Sequence, residues 1–434
     1  SATTSSALTE FAAVPADVRS LLSAASETRT SEQKTALRKY YREQFSPNIK
    51  KMSENLATQR AAKTKLEQAI PESMVMKEME KPRDTHLLVR GDFRNKGEKV
   101  APNVPKIFPA LPEGVPANRL ALAKWMVDPK NPLVSRVTVN RFWQQYFGTG
   151  FVRTADDFGS QGEWPSHPEL LDWLATEFIR VKWDMKAMQK MIVMSATYRQ
   201  SSVIDKKVLE RDPDNRLLAR GSRLRLDAET IRDNALAVSG LLNKKMGGPS
   251  VSPYQPAGLW EAIGFGNGFT SQSYAQSKGD ENFRRGIYTY WKRSMPYASF
   301  VTFDAPNREV CTVKRPRTNT PLQALVLMND PVYIEAARSL GQRIVKEGGD
   351  NFSERINFAF RVCFARAPEK QEVKLLETIF NEQLKRFQTD QAAAKKLIEI
   401  GESKPAADLD VSDLAAWTTI GNILLNVDEM ITKG

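Results

Sequence analysis

The sequence predicts a mainly α protein: a multi-helix globular domain with an N-terminal helical arm and a small, irregular, β-containing, loop-rich insert. Three observations predict it. Capped segments with apolar residues at helical spacing recur along most of the chain. Five prolines between residues 100 and 116 mark an extended connector that excludes helix. Glycine, proline and aromatic residues crowd into one stretch, 247–310, where Gly247, Gly248, Pro249, Pro253, Pro256, Trp260, Phe265 and Phe269 fall. A region of that length without helical pattern is usually functional or a lid.

The arm spans residues 1–83. Ser31 to Tyr41 is polar and helix-prone, and Pro47 opens a second helix. Ile49, Met52, Leu56, Leu66 and Ile70 form a sparse stripe that predicts packing on one side, and Pro71 ends it. Met74 to Met76 and His86 to Val89 are β-compatible. The main module is expected at 84–434, with its loop-rich insert at about 247–317. Asn118 to Val127 and Val134 to Phe147 read as helices, the second closed by Gly148. Ser166 with Glu169 reads as a capping box opening a helix that buries Leu170, Leu171, Leu174 and Phe178. Asp184 is the expected cap of a helix with Met185, Met188, Met191 and Ile192 on one face. Asp227 is the expected cap of another, with Ile231, Ala235, Val238 and Leu242 at helical spacing. Thr320-Pro321 and Asp330-Pro331 each pair a cap with proline at the first helical position, and three more helices are expected from Ser353 to Ile431. Short β pieces are expected near 84–92 and 284–315. No internal repeat of fixed period is present.

The chain has 434 residues, 41% hydrophobic and 26% charged, which suits a large core and more than one structural unit. No run approaches the roughly 18 apolar residues of a membrane span. Residues 1–8 are small and polar and do not form a signal peptide, so any export signal is expected upstream. Two cysteines, Cys311 and Cys363, exclude a disulfide-rich scaffold and leave open one disulfide or two free thiols. Two histidines, His86 and His167, are too few for a multi-histidine zinc site. Without a Cys-x-x-Cys-His motif, no c-type haem attaches to this chain. The net charge of +12 favours acidic partners, or serves solubility alone.

Several longer strings carry a resemblance. They are Arg90-Gly91-Asp92-Phe93, Asp157-Phe158-Gly159, and Ser166-His167-Pro168-Glu169-Leu170-Leu171-Asp172-Trp173-Leu174. Others are Ser195-Ala196-Thr197-Tyr198-Arg199-Gln200-Ser201-Ser202, Arg225-Leu226-Asp227-Ala228-Glu229 and Gly247-Gly248-Pro249-Ser250-Val251 with Tyr254-Gln255-Pro256. The last is Thr318-Asn319-Thr320-Pro321-Leu322-Gln323-Ala324-Leu325. With these strings the chain resembles the planctomycete surface-domain family, a domain of unknown function, over roughly 84–434. The resemblance implies a C-terminal position in large exported proteins of the periplasm or cell surface. It also implies upstream cytochrome-c-like and helical domains, so haem c is expected only in those domains. It carries over no catalytic residue.

Three constellations are candidates for chemistry. The first is the basic, aromatic segment 284–317. It sets Arg284, Arg285, Lys292, Arg293, Arg308, Lys314, Arg315 and Arg317 against only Asp304 and Glu309, with Tyr288, Tyr290, Trp291, Tyr297 and Phe300 interleaved. Guanidinium forks bind carboxylates, sulfates and phosphates, and aromatic faces stack on sugars. The candidate ligand-binding residues are Arg284, Arg285, Trp291, Arg293, Arg308, Arg315 and Arg317. The bland alternative is that these arginines bind carbonyls and acids of their own loop. The second is the acidic stretch Asp156, Asp157, Glu163, His167 and Glu169. Asp157, Glu163 and His167 are weak candidates for metal ligands, and capping explains most of the group. The third is Cys311 among basic neighbours, with Asp304 and Glu309 the accompanying catalytic candidates; its bland reading is a small buried residue on a strand. Cys363 reads as core with Ile356, Ala359 and Phe360. The methionine row 185, 188, 191 reads as a core face, and the tripeptide Arg90-Gly91-Asp92 carries no weight.

Two functions follow. One is a binding module for an anionic ligand such as an acidic polysaccharide, or a docking domain for the upstream haem domain. The other is an oxidoreductase acting on polysaccharide, passing electrons to an upstream cytochrome. Nucleic acid is not expected as a partner of an exported protein. A deep pocket holding Asp304, Glu309 or Cys311 favours the enzyme, and a flat basic surface favours the binder.

Overall fold

The computed structural model describes residues 14–260 and 274–434. The expectations for residues 1–8 and for Phe265 and Phe269 lie outside the described residues. The chain divides into two compact units, 1–101 and 102–434. The division falls after the β-compatible segment at 86–89, not before it.

The first unit holds α1 (Ala16–Ser23), α2 (Ser31–Phe45), α3 (Pro47–Ala69), β1 (Thr85–Leu88) and β2 (Lys96–Val100). Thr30 caps α2, and Gln33 returns the bond to the Thr30 N–H. Pro47 sits in the first turn of α3. No residue of α3 is buried, and Met52, Leu56, Leu66 and Ile70 are exposed. The expected one-sided packing is therefore not found. The gap between Leu56 and Leu66 interrupts the stripe for more than two turns. Met74, Val75 and Met76 are exposed and form no strand. β1 and β2 pair antiparallel, Thr85 opposite Val100, with an irregularity between His86 and Leu88.

Besides a minor cluster of Leu236, Phe283 and Val332, the second unit has two large cores among its described residues. The smaller is built on α5 (Val134–Phe147), α6 (Pro168–Arg180) and α7 (Met185–Met194), preceded by α4 (Arg119–Met126). Val139, Trp143, Phe147, Leu171, Leu174, Phe178, Met188 and Ile192 fill it. Leu170 and Met191 are half-buried, whereas Met185 is exposed, because the first turn of α7 projects past this core. Asp184 caps α7 as expected, and Asn118, the expected first residue of its helix, caps α4. Gly148 ends α5 at φ 82°. At α6 the cap moves by one residue. His167, not Ser166, is the N-cap, Pro168 takes the first helical position, and the Ser166 hydroxyl stands 3.0 Å from His167 Nδ1. Buried Asn140 closes this core by exchanging two hydrogen bonds with the Val152 backbone.

After α8 (Lys206–Arg211) and β3 (Leu224–Arg225) comes the larger core. It comprises α9 (Ala228–Ser239), the short α10 (Ala298–Thr302), α11 (Pro321–Asn329), α12 (Pro331–Glu347), α13 (Phe352–Phe364), α14 (Lys370–Thr389), α15 (Gln391–Ile398), α16 (Val411–Leu425) and α17 (Asp428–Ile431). Residues 353–431 thus form five helices rather than three, because Asp390 ends one helix and caps the next and Asp410 caps another. Leu242 lies beyond the end of α9. Among the described residues, 284–315 contains isolated bridges but no strand. The second strand pair is instead β3 with β4 (Thr432–Lys433), too short for any periodic signal. No described helix is long and apolar enough to cross a membrane.

α12 and α16 cross at the centre. A Cβ on Gly341 would meet the Trp417 backbone at 3.0 Å, and one on Gly421 would collide with the Ala337 carbonyl. One and two turns before Gly341 on α12, the side chains of Arg338 and Glu335 are 1% and 0% exposed. Arg338 donates to the carbonyls of Ile398, Ile400 and Ser403. Glu335 accepts from the Ser403 N–H and hydroxyl at 2.6 Å and from Tyr254 Oη at 2.8 Å. Removing one member of such a pair leaves a buried charge and bare carbonyls, at about 3–5 kcal/mol. Arg338→Met is expected to lower the unfolding free energy by that amount in urea titration. A change below about 1 kcal/mol contradicts this account of the pair.

Candidate functional site

The basic segment is held down chiefly from α9. Buried Arg232 donates to the carbonyls of Asn282 and Arg284. Asp233 accepts the Gly286 N–H at 2.6 Å. Glu229 takes the Arg315 fork at 2.6 and 3.2 Å. Burial works against ionisation of Glu229, but the Arg315 guanidinium outweighs it and holds the carboxyl below its ordinary range. Asp304 accepts the Thr318 N–H and hydroxyl at 2.7–3.0 Å, tying the far end of the segment to the start of α11.

The expected ligand-binding residues therefore separate. Arg284 is fully buried, donates to the carbonyls of Gly247 and Pro249, and stacks 3.9 Å from the Tyr288 ring centre. It organises its loop and faces no solvent. Arg315 is half-buried and ion-paired. Arg308 lies 4.4 Å over the Trp291 ring, and Trp291 Nε1 donates to the Asn307 carbonyl, so this pair is occupied with itself. Arg285 and Arg293 are exposed, as is Arg317, whose Nη1 approaches the Gly148 carbonyl at 3.5 Å.

The segment's last residues, 311–317, form one wall of a cleft of about 790 Å³. The opposite wall is the polar face of α5, carrying Arg141, Gln144 and Gln145, with Gly148 at its end. Arg141, Lys314, Arg315 and Arg317 line the cleft against one acid, Asp227. Arg141 and Lys314 are exposed and have no ion-pair or hydrogen-bond partner among the described residues. Sequence reasoning missed Arg141, Gln144 and Gln145. The available signal was the polar face of an otherwise apolar helix, but nothing local indicated what that face opposes.

Cys311 lines the same cleft and is exposed and free, not a small buried residue on a strand. It lies in irregular chain between prolines 306 and 316. Neither histidine lines the cleft, and neither do Asp304 and Glu309. The acidic stretch is not a cluster. The Asp157 carboxylate caps the Gly159 N–H at 2.7 Å, Glu163 faces Arg216 at 3.9 Å, and the His167 imidazole lies 3.0 Å from the Ser166 hydroxyl. Among the described residues no group of three or more His, Cys, Asp or Glu is placed to hold a metal ion.

Fold and site together define a helical protein with an open basic cleft between two packed cores. The chain belongs to the PSD1 family, proteins of unknown function (DUF1553), whose sequence profile matches residues 118–380. The match begins at the cap of α4 and takes in both walls of the cleft. No curated protein matches the chain, and no solved structure matches it.

Two outcomes follow from this geometry. Cys363 packs against the larger core, where burial pushes its thiol up to about 12, whereas Cys311 is exposed. A disulfide-exchange reagent is expected to titrate one thiol in the native protein and both in denaturant; two fast native thiols contradict the packing of α13. The Glu229 carboxyl, lowered by folding, contributes stability above the ordinary carboxylate range and loses it as pH falls through its folded-state value. Glu229→Gln is therefore expected to cost about 2 kcal/mol at neutral pH. The gap from wild type should close in acid, as read by melting temperature against pH.

Proposed function

We propose that this chain is a binding module that holds an acidic polysaccharide in the cleft between α5 and residues 311–317. The observation that carries the reading is the wall chemistry. Arg141 and Lys314 are unneutralised, Arg317 is exposed beside them, and one carboxylate stands against them all. Sulfate or carboxylate groups satisfy guanidinium and ammonium donors. Gln144, Gln145 and Thr312 on the same walls suit the hydroxyls of a sugar. The larger exported protein, its haem-bearing upstream domains and its periplasmic or cell-surface location belong to the same proposal and rest on the family resemblance. Docking of the upstream haem domain is its other form, competing for the same basic surface.

The oxidoreductase reading has one observation in its favour, the presence of Cys311 in the cleft wall. That wall supplies no imidazole to activate the thiol, and its single carboxylate, Asp227, also stands at the cap of α9. The binding reading is the better supported.

Isothermal titration with heparin and polygalacturonate at low salt tests it. Binding is expected to weaken as salt rises, because screening shortens the reach of exposed charges to about 8 Å at physiological ionic strength. The double change Arg141→Gln with Lys314→Gln should weaken binding at least about tenfold, since charge-assisted bonds contribute about 1.5–3 kcal/mol each. Arg293→Gln, outside the cleft lining, and Cys311→Ser should leave affinity unchanged. Wild-type protein that binds neither glycan, or a double variant that binds as tightly as wild type, overturns the reading.

A further inference from the structure

A second cleft, of about 540 Å³, adjoins the first. Gly148 and Arg317 line both, so the two meet where Arg317 approaches the end of α5. The second cleft has its own arginines, Arg220, Arg223 and Arg225, against Asp214. Their side chains are not equivalent. Arg220 is committed to the carbonyls of Asp212 and Pro213, and Arg223 to the carboxylate of Asp428. Asp214 is drawn off by Arg153 at 3.3 Å. Arg225 donates through Nη2 to Asn319 Oδ1 at 2.9 Å, while its Nη1 is buried with no acceptor. Its backbone is fixed by pairing with Thr432 across β3 and β4. A buried guanidinium nitrogen without an acceptor is costly, and an arriving anion removes the cost.

We infer that the two clefts form one groove, crossed at Arg317, and that its ligand is a polyanionic chain of several sugar units rather than a single charged residue. This rests on the anionic-ligand reading of the first cleft. Each cleft alone has the volume of one small-ligand pocket. Cationic groups occur at both ends and at the junction: Arg141 and Lys314 in the first cleft, Arg317 between, Arg225 in the second. Only a repeating anion engages all of them at once. Linked charges convert the second engagement into an intramolecular one, so affinity rises steeply with chain length until both clefts are filled. The unneutralised pair Arg141 and Lys314 makes the first cleft the preferred seat for a short ligand.

The test is titration of the whole chain with heparin-derived di-, tetra- and octasaccharides. The octasaccharide is expected to bind at least about a hundredfold more tightly than the disaccharide. Arg225→Gln should weaken octasaccharide binding about tenfold and leave disaccharide binding unchanged. Lys314→Gln should weaken both. Arg225→Lys keeps the charge without the planar fork and should fall between wild type and Arg225→Gln; it also serves if the glutamine variant fails to fold. If the octasaccharide gains nothing over the disaccharide, or if both Arg225 variants bind it as wild type does, the groove is overturned. In that case a loss on Lys314→Gln still supports the first cleft. If no length binds, both readings fall together.

Discussion

The close crossing of α12 and α16 is the constraint on which the larger core depends. Gly341 and Gly421 lie on the facing surfaces, each against the other helix's backbone, and neither has room for a side chain. The approach lets Trp417, Leu340 and Ile344 bury completely and brings Phe352 and Phe380 against the Trp417 ring. It also fixes α12 as a helix without a wet face over most of its length, which is why Glu335 and Arg338 must satisfy each other and the 398–403 loop. Glycine in a helix interior costs about 1 kcal/mol against alanine, and here the packing it permits outweighs that.

The cleft depends on that crossing through α9. The Ser339 hydroxyl donates to the Ser239 carbonyl, and Arg343 donates to the Val238 carbonyl, so α12 holds the end of α9. α9 then holds the basic segment through Glu229, Arg232 and Asp233, spaced three and four residues apart on one face. On the other side, Lys433 of β4 donates to the Tyr146 carbonyl and lies 4.0 Å over the Tyr198 ring, clamping the smaller core against the chain's last residues. The two walls of the cleft are therefore positioned by different cores, joined through α9, β3 and β4.

Much of this architecture was legible in the sequence because helix ends are local chemistry. Asn118, Asp184 and Asp330 cap through their own side chains, and Gly148 and the prolines at 47, 321 and 331 act within one turn. Ser166 misled because Pro168, two residues past the expected cap, takes the first helical position and makes His167 the cap residue. The strand pair β3 and β4 was illegible because two-residue strands carry no period, and the two lie some two hundred residues apart in sequence, before and after the helices of the larger core. The site was legible as a segment but not as a surface. Composition located the arginines of 284–317 and could not separate buried Arg284 from exposed Arg317, since both occur in irregular chain. Arg141 and Arg225 were invisible as site residues because what brings them to the clefts is contact with residues distant in sequence.

The two readings of the basic segment, structural and ligand-facing, are both realised, and the first enables the second. A segment rich in arginine neutralises itself unless its acids are occupied elsewhere. Asp304 is occupied by Thr318 and Glu229 by Arg315, and each of those bonds holds the segment in place. Arg284 and Arg315 thus serve the fold, and by anchoring the chain they leave Lys314, Arg317 and the opposing Arg141 facing water with little opposing charge. Charge that faces solvent across an open cleft is weakly screened at short range and adapts to a flexible polyanion at low cost. The positive field of the cleft is therefore set by which charged side chains line it, four cationic against Asp227, rather than by the segment's net charge.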